Sequence, residues 1–262
     1  MPTSNTPQHK YKVQRVKEQN MIFGVRAVIE AIDAGKDIDK ILIKKDANSP
    51  LIKELKSRIA GTSILLQRVP PERLNQYTER NHQGVIAFLS AITYHNLENI
   101  IPSLFESGKA PFLVALDGVT DVRNFGAIAR TCQCAGVDAI VIPMHGGASI
   151  TADAIKTSAG ALHRIPVCRV PNLNAALKYI SQCGITLVAA TEKTTNLYSQ
   201  QDYTSPLCIV MGAEDTGIAQ ENLDICQLQA RIPMQGDIES LNVSVSAAIM
   251  IYEVVRQRKS LL

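Results

Sequence analysis

Residues suited to polar chemistry concentrate in three stretches of this 262-residue chain, each following a short apolar run. The first, Asp117-Gly-Val-Thr-Asp-Val-Arg-Asn-Phe-Gly, holds Asp117, Asp121, Arg123, Asn124 and Gly126, with Arg130 in the helix expected to follow. The second, Met211-Gly-Ala-Glu-Asp-Thr-Gly, sets Glu214 between Gly212 and Gly217, glycines that permit a tight turn or the close approach of a ligand. The third runs from Arg231 to Ser246 and places Ser240, Asn242, Ser244 and Ser246 at alternate positions. It leads into Val243 to Arg258, which has no Gly or Pro and reads as a helix. A loop entering a helix presents backbone N–H groups and side-chain oxygens together, which suits either a helix cap or a ligand site.

Each stretch also has a purely structural explanation. Ser240 or Asn242 can serve as the cap alone, and Asn124-Phe-Gly126 can be a plain turn. Arg130 can be a surface or salt-bridged arginine. Glu214 can favour the positive end of the short helix after it. Three polar, glycine-containing loops after three apolar strands nevertheless outline one site.

The elements that would hold these loops follow from the pattern of apolar residues. From Gly24 a helical face (Val25, Val28, Ile29, Ile32) stops at Gly35. Strands are expected at Ile38 to Lys45, Ser63 to Val69 and Gly84 to Ala91, and helices at Pro50 to Ala60 and from Pro70, giving a small α/β domain over 21–91. Residues 92–110 read as a linker helix. Phe112 to Leu116 is a continuous apolar run of strand length, buried on both faces. It is followed by a helix expected from Ala127 to Ala135. Strands and helices then alternate to the last helix: strands at Ala139 to Ile142, Val167 to Val170, Thr186 to Ala190 and Cys208 to Met211, helices at Ala152 to Ser158, Leu173 to Gln182 and Glu221 to Asp224. That alternation implies a parallel sheet covered on both faces, with ligands bound beyond the carboxyl ends of its strands.

Composition bounds the answer. Hydrophobic residues at 46% and charged residues at 19% describe an ordinary soluble globular protein with no run of membrane-span length. The polar, basic stretch 1–20 reads as a disordered tail without an apolar signal core, so the expectation is a cytoplasmic protein with no membrane partner. Six cysteines fall in no metal-binding or redox spacing, so free, mostly buried thiols and no metal are expected. The first 90 residues carry 15 Lys and Arg against 9 Asp and Glu, the remainder 12 against 15. This asymmetry fits a polyanion-binding module joined to a catalytic body, and equally a solvated basic surface. Neither GxGxxG nor GxxxxGK[ST] occurs, which sets aside the dinucleotide-binding and P-loop readings.

Taken with Ile232-Pro-Met and Ser240-Leu-Asn-Val-Ser-Val245, the first two stretches resemble, in order and spacing, the three motifs of the SpoU (TrmH-like) RNA 2′-O-ribose methyltransferases of the SPOUT superfamily. The resemblance covers 111–262 as a catalytic domain. Phe23-Gly-Val-Arg-Ala-Val-Ile-Glu-Ala and Asn81-His-Gln-Gly-Val-Ile-Ala resemble the substrate-binding domain of members that modify a guanosine of 23S ribosomal RNA. The implied fold is α/β: a parallel-sheet domain closed by a trefoil knot, after a small α/β (L30e-like) domain. The implied methyl donor is S-adenosylmethionine, contacted through backbone at Gly212, Ile232 and Leu241 and the Gly217 turn, with Thr191 and Met234 close by. The implied catalytic set is Asn124, Arg130, Glu214, Ser240 and Asn242. A homodimer packed partly through the last helix and an RNA partner, ribosomal or transfer, are also implied. Val122, where the family usually has Pro, and Asp215, where small residues are frequent, depart from the pattern without removing a reactive group. An RNA-binding protein with an inert methyltransferase fold and a nicotinamide-dependent oxidoreductase are the competing readings.

Overall fold

The computed structural model describes residues 21–259, so the basic stretch 1–20 lies outside the described residues. The chain divides into two compact units, one ending at Leu89 and the other beginning at Ser90.

The first unit contains β1 (Met21–Phe23), α1 (Val25–Asp33), β2 (Ile38–Lys44), α2 (Pro50–Ile59), β3 (Leu65–Val69), α3 (Pro71–Asn75) and β4 (Val85–Leu89). Its sheet has the order β1-β4-β2-β3, antiparallel except where β2 meets β3. α1 and α2 cover one face, burying Val28 and Leu55 against Ile41, Ile43 and Val85. Ser49 caps α2, its hydroxyl accepting from the Ile52 N–H, and Pro50 occupies the first turn, where a missing N–H costs nothing. On the other face, Leu74 of α3 closes over Leu42, Val69 and Ile86.

The second unit contains β5 (Tyr94–His95), α4 (Leu97–Glu106), β6 (Phe112–Asp117), α5 (Val122–Ala135), β7 (Ala139–Pro143), α6 (Ala152–Thr157) and β8 (Val167–Val170). It continues with α7 (Leu173–Gln182), β9 (Thr186–Ala190), β10 (Leu207–Gly212), α8 (Gln220–Leu223), β11 (Leu228–Ala230) and α9 (Val243–Lys259). Seven strands form a parallel sheet in the order β11-β9-β10-β6-β7-β8-β5. Side chains alternate along β6: Phe112, Val114 and Leu116 face α5 and α9, while Leu113 and Ala115 face the layer of α4 and α7. Each fully buried Leu, Ile or Phe contributes roughly 1.5–3 kcal/mol by leaving water.

Residues 92–110 do more than join two parts. Tyr94 and His95 extend the large sheet, and α4 buries Leu97 and Ile101 against it. The far end of α9 is tied down by Arg258, whose guanidinium donates to the carbonyls of Tyr203, Ser205, Ala110 and Pro111 and lies 5.2 Å from the centre of the Phe112 ring. Among the described residues, no helix is long and apolar enough to cross a membrane.

The sheet order fixes where loops converge. After β6 the chain moves to β7 and β8 on one side, then returns to place β10 and β9 on the other. The β6 and β10 loops therefore diverge at a switch point, with Asp117 and Gly212 paired in register at its edge. Crevices of this kind hold ligands in open parallel sheets.

Candidate active site

The loop after β6 is shorter than the sequence suggests, because α5 begins at Val122 and not at Ala127. The reason is a cap: the Asp121 carboxylate accepts from the backbone N–H groups of Arg123 and Asn124, each at 2.8 Å. Asn124 therefore stands in the first turn of a helix. Gly126 serves a helix contact, since a Cβ there would lie 2.8 Å from Thr157 Cβ and 3.0 Å from the Ala154 carbonyl oxygen. Asp117 is also structural, its carboxylate accepting from the Ala219 N–H at 2.8 Å and the Asn222 side-chain amide at 2.9 Å at the start of α8.

The loop after β10 is a pinched turn. Ala213 and Gly217 exchange backbone hydrogen bonds at 3.1 and 3.0 Å, which projects Glu214, Asp215 and Thr216 as a small hairpin. Gly217 takes φ +68°. A Cβ on Gly212 would sit 2.2 Å from the Gly217 carbonyl carbon, so closure of the turn itself demands glycine there.

Asn242 joins the three stretches. Its side-chain oxygen accepts from the Ser244 N–H at 2.9 Å and from the Ser244 hydroxyl at 2.6 Å, making Asn242, and not Ser240, the cap of α9. That contact fixes the amide orientation, so the nitrogen points the other way. It donates to Asn124 Oδ1 at 3.0 Å and to Glu214 Oε1 at 2.6 Å. Glu214 Oε1 also accepts from the Val243 N–H at 3.4 Å. Glu214 thus sits at the positive end of α9 instead of α8. One amide, one carboxylate and a second amide, each from a different strand end, form a single hydrogen-bonded row.

Beside this row lies a cavity of about 450 Å³, within the range usual for small-molecule sites. Thr191, Gly212, Glu214, Gly217, Ile232, Met234, Ser240 and Leu241 all line it. Four lining carboxylates (Glu192, Glu214, Asp215, Glu239) face one ammonium, Lys193, so the wall favours positive charge. Ser246, from the alternating polar stretch, also lines it, whereas Glu192, Lys193 and Glu239 are lining residues that sequence reasoning did not single out. Glu192 and Lys193 follow β9, the neighbour of β10, and the rule that sites lie beyond strand ends would have found them had the pairing been known.

Arg130 is not part of this row or of the cavity lining. It is exposed on α5, two turns past the cap, and its guanidinium makes no hydrogen bond or ion pair with a described residue. Six residues separate it from Asn124, about 120° around the helix, so it shares a stripe with Arg123 and Ala127. Among the described residues, no three His, Cys, Asp or Glu side chains cluster as a metal site would require.

Comparison with known proteins shows the family. Residues 111–252 match the model of the SpoU rRNA methylase family, and residues 21–95 match that of the RNA 2′-O ribose methyltransferase substrate-binding domain. A relative in Staphylococcus saprophyticus, provisionally named a TrmH family tRNA/rRNA methyltransferase, is 34% identical over 241 residues, covering 92% of this chain and 97% of its own. The AdoMet-bound rRNA methyltransferase of Sinorhizobium meliloti superposes with a TM-score of 0.59 at 27% identity, over 93% of this chain and 88% of that one. The TrmH/SpoU tRNA-modifying enzyme of A. aeolicus superposes with a TM-score of 0.52 at 30% identity, over 63% of this chain and 85% of that one. The chain belongs to the SpoU family of RNA 2′-O-ribose methyltransferases.

Proposed function

We propose that the protein transfers a methyl group from S-adenosylmethionine to a ribose 2′-hydroxyl of RNA in the cytoplasm, with a guanosine of 23S ribosomal RNA as first candidate target and transfer RNA as the alternative. The observation that carries this is the Asn124–Asn242–Glu214 row at the rim of the cavity between the β9, β10 and β11 loops. S-adenosylmethionine supplies an electrophilic methyl on a positively charged sulfonium. A carboxylate-rich wall suits that cation, and Gly212, Ile232 and Leu241 line the space for the remainder, which the resemblance assigns to backbone contacts.

Methyl transfer to an oxygen is an in-line displacement, so holding the hydroxyl in place supplies much of the rate. The row Asn124–Asn242–Glu214 is held rigid by the α5 and α9 caps, and Ser240 adds a hydroxyl at the cavity wall. The 2′-hydroxyl must also lose its proton. A guanidinium stays protonated in proteins, so Arg130 is assigned as a fixed cation that clamps the neighbouring phosphate and stabilises developing alkoxide, while the hydroxyl proton passes to that phosphate or to water. Arg130→Ala should lower labelled methyl transfer about 100-fold while calorimetry shows S-adenosylmethionine still bound; near-full turnover would remove Arg130 from the mechanism. NADH in the same calorimeter should give no heat of binding.

The trefoil knot is part of this reading. The chain leaving β11 runs alongside residues 196–198, with the Arg231 N–H donating to Asn196 O at 2.9 Å and the Tyr198 N–H to Arg231 O at 3.0 Å, before α9 packs on α5. Pulling the chain from both ends should leave it shorter than 262 residues at about 3.3–3.6 Å each, whereas full extension would exclude a knot.

A further inference from the structure

We propose that a second cavity, contained within the first unit, receives one unpaired ribonucleotide of the RNA, with Lys44 and Arg80 on its phosphate and the side-chain amides of Asn81 and Gln83 on its base edge. This rests on the reading that the protein acts on RNA, and it names where and how the first unit grips it.

The cavity measures about 460 Å³ and opens between the loop after β2 and the turn 80–84. Its lining includes Lys44, Arg80, Asn48, Asn81 and Gln83, with Asp46 as its one carboxylate. This wall is the reverse of the carboxylate-rich one in the second unit, and it belongs to the part of the chain with the surplus of Lys and Arg. The Lys44 ammonium is exposed and, unlike the residue's backbone, pairs with no described residue, so its charge is available to a phosphate. Pro71, half-buried at the cavity wall, contributes apolar surface against which a base can lie.

The turn that presents the amides is locked from several sides. His82 Nδ1 accepts from the Gly84 N–H at 3.0 Å, which leaves the ring proton on Nε2, 2.9 Å from Asn75 Oδ1. The Asn81 side-chain oxygen accepts from the Gln83 N–H at 3.2 Å, and the Val85 N–H donates to His82 O at 2.9 Å. A Cβ at Gly84, which takes φ +79°, would stand 3.2 Å from Lys44 Cβ, so turn and loop are in contact. Gln83 itself takes φ +51°, a conformation that glycine adopts at lower cost. A side chain kept at that position, exposed at a cavity wall, has a use beyond folding. Unpaired bases with exposed edges are what amides and cations of this arrangement recognise in RNA.

The test uses the full chain with an unmodified 23S ribosomal RNA transcript and an unmodified transfer RNA pool, measuring RNA affinity across a salt series and Tm for each variant. Lys44→Ala and Arg80→Ala should each weaken RNA binding about ten-fold and reduce the slope of log affinity against log salt by about 0.7, the value for one single-strand phosphate contact. Their affinity for S-adenosylmethionine should not change. Gln83→Gly should raise Tm while weakening RNA binding. Unchanged affinity and salt slope in both cation variants, or a more stable Gln83→Gly protein that binds RNA as tightly as wild type, would overturn the proposal. Wild-type binding that depends on Lys44 and Arg80 supports the pocket whether or not methyl transfer is detected. Wild-type methyl transfer with unaffected variants overturns the pocket alone.

Discussion

Asn242 divides its atoms between fold and site: the oxygen caps α9 while the nitrogen reaches Asn124 and Glu214. Cap and site were legible in the sequence as alternatives for the same stretch, because both need polar side chains beside unpaired N–H groups. That one residue serves both could not be read, since the direction of an amide depends on partners 28 and 118 positions away. Asp121 and Gly126 were misread for the same reason. A cap and a helix-contact glycine look like turn residues until the packing of α6 is known. Thiols behave more simply, and burial dominates. It pushes Cys168 up to about 12 and Cys226 to about 12, and raises Cys132 and Cys208 as well. Burial favours the neutral thiol, so these groups leave stability untouched below about pH 9, the ordinary thiol value, and cost stability as pH rises from 9 toward 12. Denaturant midpoints should therefore fall between pH 9 and 11. At pH 8 a thiol reagent should reach Cys132, Cys168 and Cys208 only after unfolding, and rapid labelling in the native state would contradict their burial.

At the scale of elements, the large sheet was legible because strands buried on both faces read as unbroken apolar runs. β1, β5 and β11, of three, two and three residues, were not. Such short strands exist through their neighbours' hydrogen bonds and leave too little sequence to show a period. The β10 loop shows what an element demands of one residue. Gly212→Ala would force a methyl into the Gly217 backbone, so the turn must open or the strand end must shift. We expect a loss of about 2–4 kcal/mol, in the range of overpacked and strained sites, with a matching loss of S-adenosylmethionine binding. Denaturant titration and calorimetry together check this. Wild-type values in both would show that the turn tolerates opening.

At the scale of the molecule, α9 is apolar on two sides. Val243, Ala247, Met250, Ile251 and Val254 face the core, while Val245 and Tyr252 are 47% and 50% exposed on the opposite face, with Ile249 between them. Apolar side chains left exposed opposite a core-facing stripe are a surface that a second copy of the chain would cover, and a homodimer packed partly through α9 is proposed on that ground. Tyr252→Asp should convert a dimer to a monomer in light scattering; a wild-type monomer at micromolar concentration would contradict that arrangement. The family resemblance made the dimer an expectation, whereas composition alone did not point to it. Charge asymmetry was readable by counting. Which RNA it serves was not, because recognition of a folded RNA depends on shape assembled from both partners.

The most direct measurement compares wild-type protein with Asn242→Ser in transfer of labelled methyl groups to unmodified RNA, followed by nucleoside mass spectrometry. Serine keeps an oxygen for the α9 cap and removes the amide, so stability should change by no more than about 0.5 kcal/mol. The wild-type product should be a 2′-O-methyl nucleoside, and Asn242→Ser should form it about 100-fold more slowly, as loss of one preorganised donor does elsewhere. Methylation on a base, or an Asn242→Ser protein as active as wild type, would contradict the account.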